Sequence, residues 1–452
     1  MTSLHPVTTS WSRRLASACS PRTFVSSMKG HRGALALVDQ AVVSLTNFAT
    51  SLIIARVCGK AELGLYLLAW TTITIVNEIL TAVIATPYVV ISPTLSDGER
   101  RRYCGSAVLH QFGLSAVAVL CSLIAGVRLH FGPRADLGRV LTVVSGLLAI
   151  LVLKEFARRL WFAHLEMRAA LIGDVGASTL QMLAVGALFL SHRLSTITCY
   201  SGIALAALLP TIMWSWMYRD RLYISTSASL SDFRTNWTLA KWIVGSGGLW
   251  AAAMYTYPWL LVWMHGPALT GVWAACFGFV ALSNPVLLGF GNYLGPRIAQ
   301  LCGFDGVFVM RRYVYRSALH FVCLLLPLAF IVWFWGDFFI GHLYGKAFVG
   351  HQHVIRVLAC NVLISGLVFP FTRGFFALQR ADLDLFVNVV AIAILFVFGI
   401  PLVRHYGVMG AAAGLTLTNG LTTLMRIALF ARVTRGEKAY AFSLEATSAQ
   451  KA

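Results

Sequence analysis

The sequence is poor in charge. Only 12% of its 452 residues are Asp, Glu, Lys or Arg, about half the share usual in a soluble domain. Acidic residues are the scarcest, with 17 Asp and Glu against 36 Lys and Arg and a formal net charge of +19. Residues 103–127, 194–218, 317–336, 385–403 and 405–425 carry no charge at all, and 242–296 is charge-free for 55 residues. With 58% hydrophobic residues and a mean hydropathy of +0.75, these deficits exclude a soluble globular chain.

Signatures of catalysis are missing as well. No Gly-rich loop of the Walker type is present, which argues against an ATP-driven pump. The 12 histidines form no HxxxH or HExxH pattern. The nine cysteines are scattered, with no CxxC and no Cys/His metal spacing. No catalytic residue, metal site or cofactor is therefore expected, and the chain does not read as an enzyme.

What is there is a series of apolar segments near the ~20 residues that cross a bilayer as a helix. Twelve spans are read: 34–57, 63–92, 104–127, 140–162, 169–190, 195–218, 242–264, 270–295, 314–335, 355–378, 383–403 and 407–430. The fold class is thus all-α and polytopic. With the N-terminus in the cytoplasm, 26 of the 36 Lys and Arg fall in cytoplasmic tails and loops, so the positive-inside rule places both termini there. The basic excess is a topology signal, with attraction to anionic membrane lipid as a by-product. Nucleic acid is not an expected partner, because no soluble basic domain exists to hold it. The domain reading is a polar basic tail (1–33), an N-terminal six-helix bundle (34–218), a cytoplasmic linker (219–241), a C-terminal six-helix bundle (242–430) and a second tail (431–452).

The same membrane block occurs twice. Gly59, Ala61, Gly64, Tyr66 and Asn77 recur 207 residues later as Gly266, Ala268, Gly271, Trp273 and Asn284. Arg101-Arg102-Tyr103 recurs as Arg311-Arg312-Tyr313, shifted by 210, and Arg158 recurs as Arg373, shifted by 215. Internal repeats around a shared midplane site are a common build for secondary transporters.

Polar groups inside the spans are the candidate site. Gln40, Ser44, Asn47 and Ser51 fall on one face of the first span, with Asp39 at its cytoplasmic end. Such a stripe faces protein or water, either as helix–helix glue or as a cavity wall. Glu78 stands near the middle of the second span, where a carboxylate is costly. It is paired, protonated or wet, and a carboxyl able to change protonation there is a candidate coupling group. Lys154, Glu155, Arg158 and Arg159 cluster at the end of the fourth span, with Lys154/Arg158 and Glu155/Arg159 at i,i+4 spacing. They read either as an interfacial ion-pair cluster or as a basic lip for phosphate, which the planar guanidinium fork binds with two hydrogen bonds. Arg56, Arg297 and Arg373 are further candidates for phosphate.

Asp39-Gln40, Asn47, Ala55-Arg56, the Gly59–Gly64 turn and the Arg373–Leu378 stretch resemble Wzx-type oligosaccharide flippases. These belong to the multidrug/oligosaccharidyl-lipid/polysaccharide (MOP) exporter superfamily, which includes the multidrug MATE proteins. The resemblance covers most of residues 34–430. It implies two six-helix bundles about a pseudo-twofold axis, enclosing a cavity that opens alternately to each side. It implies a polyprenyl-pyrophosphate-linked oligosaccharide as cargo, moved from the cytoplasmic to the periplasmic leaflet of the inner membrane for surface polysaccharide synthesis. It puts Arg56, Arg158, Arg297 and Arg373 near phosphate and Asp39 and Glu78 on the coupling route; Asn47, Asn77 and Asn284 are further candidates for binding sugar or pyrophosphate. A proton or sodium gradient is the candidate energy source. Membrane lipids and polysaccharide assembly proteins are the candidate partners of a monomer. A drug-type exporter of the same fold and a membrane polysaccharide polymerase or transferase are the alternatives.

Overall fold

The computed structural model describes residues 31–449, so most of the first tail lies outside the described residues. Every regular element in that range is helical. The helices are α1 (His31–Leu80), α2 (Thr86–Ile91), α3 (Asp97–His130), α4 (Ala135–Ala163), α5 (Met167–Leu190), α6 (Thr196–Tyr218) and α7 (Thr226–His265). They continue as α8 (Pro267–Val280), α9 (Asn284–Phe304), α10 (Gly306–Leu343), α11 (Gln352–Ala377), α12 (Ala381–Ile394) and α13 (Ile400–Ala449). Eight helical stretches among the described residues are long and apolar enough to cross a membrane. The chain is a multi-pass membrane protein.

Two of those stretches are too long for one crossing. Val38–Thr94 has 57 residues and Ala381–Arg435 has 55, at 1.5 Å per residue far beyond a ~30 Å hydrocarbon core. Each contains a glycine that breaks the helix: Gly59 (φ 87°, ψ −173°) and Gly407 (φ 55°, ψ −125°). Positive φ is open to glycine and strained for other residues, so these breaks are written into the sequence. Gly266, the repeat partner of Gly59, has nearly the same backbone (φ 87°, ψ 174°) and separates α7 from α8.

The repeat also meets itself in space. A Cβ on Gly64 would sit 2.0 Å from the Pro267 carbonyl oxygen, and a Cβ on Gly271 would sit 1.8 Å from the Lys60 carbonyl oxygen. Lys60 and Pro267 are themselves 207 apart, as are Gly64 and Gly271. Contact i-to-j with j-to-i is the mark of a local twofold. Only glycine lets the backbones of α1 and α8 approach this closely. Around the contact runs one core shared by both halves of the chain, including Leu63, Leu68, Trp273 and Tyr257.

A second marker fixes register at the other end of the helices. α4 and α11 both close with a residue at positive φ, Leu165 (58°) and Gln379 (57°). The capping bonds match one for one: His164, Leu165 and Glu166 donate to the carbonyls of Leu160, Phe162 and Trp161, as Leu378, Gln379 and Arg380 donate to those of Gly374, Phe376 and Phe375. All are 214 apart. The shift of 215 read from sequence at Arg158 is therefore off by one. Arg159 is the counterpart of Arg373, and Arg158 that of Thr372.

Here the N-terminal half has a core of its own, with Tyr88, Tyr103, Phe156, Trp161, Trp214 and Tyr218, separate from the shared one. The 219–241 segment is a short 3-10 turn, Arg219–Arg221, followed by the first turns of α7. α7 docks there on α3. Tyr103 donates to Asn236 (2.6 Å), Ser106 donates to Asp232 (2.6 Å), and His110 Nε2 lies 2.9 Å from the Ser229 carbonyl oxygen. At the far end of the chain, α13 runs well past residue 430.

Candidate functional site

The buried charges of the N-terminal half converge on Arg158, on the penultimate turn of α4. Its Nη2 donates to Asp39 Oδ2 at 2.6 Å and to Gln40 Oε1 at 3.2 Å, both on α1. Its Nε lies 2.7 Å from Asp174 Oδ2 on α5, and its Nη1 lies 3.8 Å from Glu155. Lys154 stands 3.3 Å from Asp174 and 3.9 Å from Glu155. Asp39 and Asp174 are each 1% exposed. Three carboxylates thus face two cations. Asp39 Oδ1 is buried with no hydrogen-bond partner. Sequence spacing pointed Glu155 toward Arg159, but its partners are Lys154 and Arg158.

Deeper along the same seam, Gln181 on α5 donates to Thr50 (2.9 Å), which donates to the Thr46 carbonyl. The buried polar face of the first helix is therefore Asp39–Thr46–Thr50, spaced seven and four residues apart. The stripe expected from sequence lies beside it. Of that stripe, Gln40 donates to Ser44 and Ser51 donates to the Phe48 carbonyl, while Asn47 is exposed.

The C-terminal half holds a second network that sequence reasoning missed. Arg426, 5% exposed on α13, donates from Nε to Asp384 Oδ1 (3.1 Å) and from Nη2 to Asn388 Oδ1 (2.7 Å). Ser246 on α7 donates to Asp384 Oδ2 (3.0 Å), Asn388 donates to Ser246 Oγ (3.0 Å), and Thr372 donates to Asp384 Oδ1 (3.5 Å). Arg426 pairs with Asp384, the other hydrogen-bond partners are neutral amides or hydroxyls, and Arg373 lies within electrostatic reach of the same carboxylate. The signal was in the sequence, because Asp384 and Arg426 fall inside apolar spans, where each charge calls for a partner.

Register turns the two networks into one comparison. At the shifts of 207 and 214, Asp39 corresponds to Ser246, Arg158 to Thr372 and Asp174 to Asn388. The same three positions are charged in one half and neutral in the other.

The remaining predicted residues are dispersed. Arg56 lies at the Gly59 end, away from Arg158, and its Nε donates to the Leu343 carbonyl at 2.6 Å while Nη2 donates to that of His342. It closes the C-terminus of α10 from the other half of the chain. Arg134, at the N-terminus of α4, mirrors it, donating to the Trp263 carbonyl on α7 with its guanidinium 4.0 Å over the Trp263 ring. Glu78 and Arg297 are exposed, and Asn77 is half-buried. None of the three has a hydrogen-bond or ion-pair partner among the described residues. The side chain of Asn284 lies outside the described residues. Arg373 is half-buried over the Phe369 ring, 5.4 Å from its centroid.

No family model matches the chain, and no curated protein is similar to it in sequence. Solved structures share its fold. An inward-facing multidrug resistance MATE family transporter of the MOP superfamily aligns with a TM-score of 0.75 at 11% identity, over 88% of this chain and 96% of that one. A MOP superfamily transporter from Pyrococcus furiosus aligns at 0.67 with 12% identity, over 90% and 95%. An outward-facing multidrug resistance MATE family transporter aligns at 0.62 with 12% identity, over 90% and 95%. This chain has the fold of these transporters.

Proposed function

We propose that this chain is an alternating-access membrane transporter of twelve spans in two bundles, with both termini in the cytoplasm. Its cargo is a polyprenyl-pyrophosphate-linked oligosaccharide, moved across the inner membrane for surface polysaccharide. The fold supports transport. The greater likeness to the inward-facing structure than to the outward-facing one, with the halves in contact at the Gly64/Gly271 end, supports a conformer open toward the cytoplasm.

One observation carries the choice of cargo. The buried carboxylates Asp39, Asp174 and Asp384 are each engaged by an arginine, so none stands as a lone acid for a cationic drug. A sugar diphosphate cannot cross hydrocarbon unaided, but a polar, cationic cavity shelters it while the lipid tail stays outside. A cation-coupled small-molecule exporter is the second reading, favoured by the surplus carboxylate around Arg158 and by the exposed Glu78. Asp39 and Glu78 are the proposed coupling groups in either case.

The test is complementation of a bacterium lacking its own O-antigen flippase. Restored surface polysaccharide with loss of the cytoplasm-facing lipid-linked precursor supports the flippase. Resistance to cationic drugs in cells lacking their own pumps, without restored polysaccharide, supports the exporter and contradicts the flippase.

A further inference from the structure

We infer that Trp70, Tyr255 and Trp250 form an aromatic platform in the cleft between the two halves, on which a sugar ring of the cargo stacks. The inference rests on the proposed function for the identity of the cargo, and on geometry for the site.

The three rings meet across the halves. The Trp70 and Tyr255 ring centroids lie 6.0 Å apart with an interplanar angle of 78°, and those of Trp250 and Tyr255 lie 6.4 Å apart at 79°. Trp70 belongs to α1 of the N-terminal half, and the other two belong to α7 of the C-terminal half. Trp70 is 37% exposed and Trp250 44%. The face of α1 that carries Trp70 continues as Thr74, Asn77 and Glu78, at the spacings of three and four that keep to one side of a helix. Polar groups and a carboxylate at membrane depth face water or protein rather than lipid. Glu78 is exposed, so this face lines the cleft. Tyr255 lies within electrostatic reach of Glu78. Trp70 is six residues from Gly64, about 9 Å along a helix, which sets the platform just inside the contact at the Gly64/Gly271 end.

The internal repeat builds this cluster only once. At the shift of 207, Trp70 corresponds to Phe277, Tyr255 to Phe48 and Trp250 to Val43. Phe277 stacks on Trp273 at 5.5 Å, and Phe48 lies nearly perpendicular to Tyr344 at 6.2 Å. Both pack on the shared core. Where the frame needs only packing, it thus uses Phe and Val. The platform uses rings with polar tips, and those tips are idle: the Trp70 and Trp250 indole N–H groups and the Tyr255 hydroxyl have no hydrogen-bond partner among the described residues. Apolar ring faces with unused polar tips suit a pyranose, whose C–H faces lie flat on an aromatic ring while its hydroxyls bond around the rim. Those hydroxyls both donate and accept. Glu78 supplies acceptors, the two indole N–H groups supply donors, and Asn77 supplies both. An organic cation would use the ring faces and Glu78, but it has no use for the N–H donors, so the cluster favours the sugar.

The test uses the full chain in detergent and compares farnesyl diphosphate with the same molecule carrying N-acetylglucosamine on its terminal phosphate. The parent chain should bind the glycosylated probe more tightly. Trp70→Leu, Tyr255→Leu and Trp250→Leu should each cut that gain by about threefold to tenfold. They should leave farnesyl diphosphate binding unchanged, which a general loss of packing would not do. Trp70→Phe and Tyr255→Phe keep a ring and lose the polar tip, and should each lose a smaller part of the gain. Trp335→Leu, exposed on α10, should leave the gain as it is. If the Leu variants do not fold, the Phe variants carry the test. An unchanged gain in a folded Trp70→Leu/Trp250→Leu double variant would overturn the platform, as would a parent chain that gains nothing from the sugar. Ring-dependent binding of tetraphenylphosphonium without a gain from the sugar would also overturn it, in favour of an organic cation. Complementation separates the two claims. A double variant that complements and keeps the gain removes the platform and leaves the flippase. A ring-dependent gain from the sugar in a chain that does not complement removes the flippase and leaves the platform.

Discussion

At three positions related by the internal repeat, the two halves of the molecule carry different chemistry. The N-terminal half has Asp39, Arg158 and Asp174, and the C-terminal half has Ser246, Thr372 and Asn388. Both sets join the first, fourth and fifth helical rods of their half. In the C-terminal half the one nearby ion pair, Asp384–Arg426, is balanced and satisfied by neutral donors and acceptors. In the N-terminal half, three carboxylates share two cations and one carboxylate oxygen is left without a partner. A neutral network is glue that keeps one state. An unbalanced one changes its energy when a proton or cation arrives. The duplicated frame thus carries an unbalanced charge cluster in one half and a balanced one in the other.

The largest effect expected from this comparison is on stability. Arg158→Met leaves Asp39 buried and uncompensated and Asp174 with Lys154 alone, which costs about 3–5 kcal/mol. Thr372→Val at the equivalent position removes one long hydrogen bond and should cost about 1 kcal/mol or less. Thermal unfolding in detergent measures both, and equal losses would break the asymmetry. Next comes the contact where the halves agree. Gly64→Ala and Gly271→Ala each drive a methyl into a backbone carbonyl and should each destabilise by about 1–3 kcal/mol. A marked inequality between them would contradict the reciprocal packing. The smallest effects belong to the two arginines that tie the halves together at this end. Arg56→Gln and Arg134→Gln remove exposed bonds to carbonyls and should barely change stability. Together they should raise cysteine accessibility at this end, and unchanged accessibility would remove their role as latches.

Much of this was legible in the sequence, and the reasons differ by element. The Gly59–Gly64 and Gly266–Gly271 repeat could be read because positive φ and backbone contact both demand glycine, which leaves a trace in composition. The register at Arg158 could not, because the caps that set it use Leu165 and Gln379, residues with no compositional mark of positive φ. The stripe of Gln40, Ser44, Asn47 and Ser51 was legible, but the buried seam of Thr46 and Thr50 beside it was not. Thr46 and Thr50 look like ordinary membrane-helix threonines until Gln181 is seen across from them. The 219–241 segment read as a linker from its charge and polarity. In the structure its polar side chains hold the start of α7 to α3. The partners of Glu155 depended on which arginine was already held by Asp39 and Asp174, a tertiary fact that i,i+4 spacing does not contain.

In this conformer the halves are joined at the Gly64/Gly271 end, and the proposed alternating access requires them to part at the other. The most direct test places spin labels at exposed Arg168 and Asp382, repeat-equivalent positions at the parting end, and measures their separation in lipid bilayers. The account predicts two distance populations, with the longer one matching the structure described here. A single distance under every ion and cargo condition would contradict it.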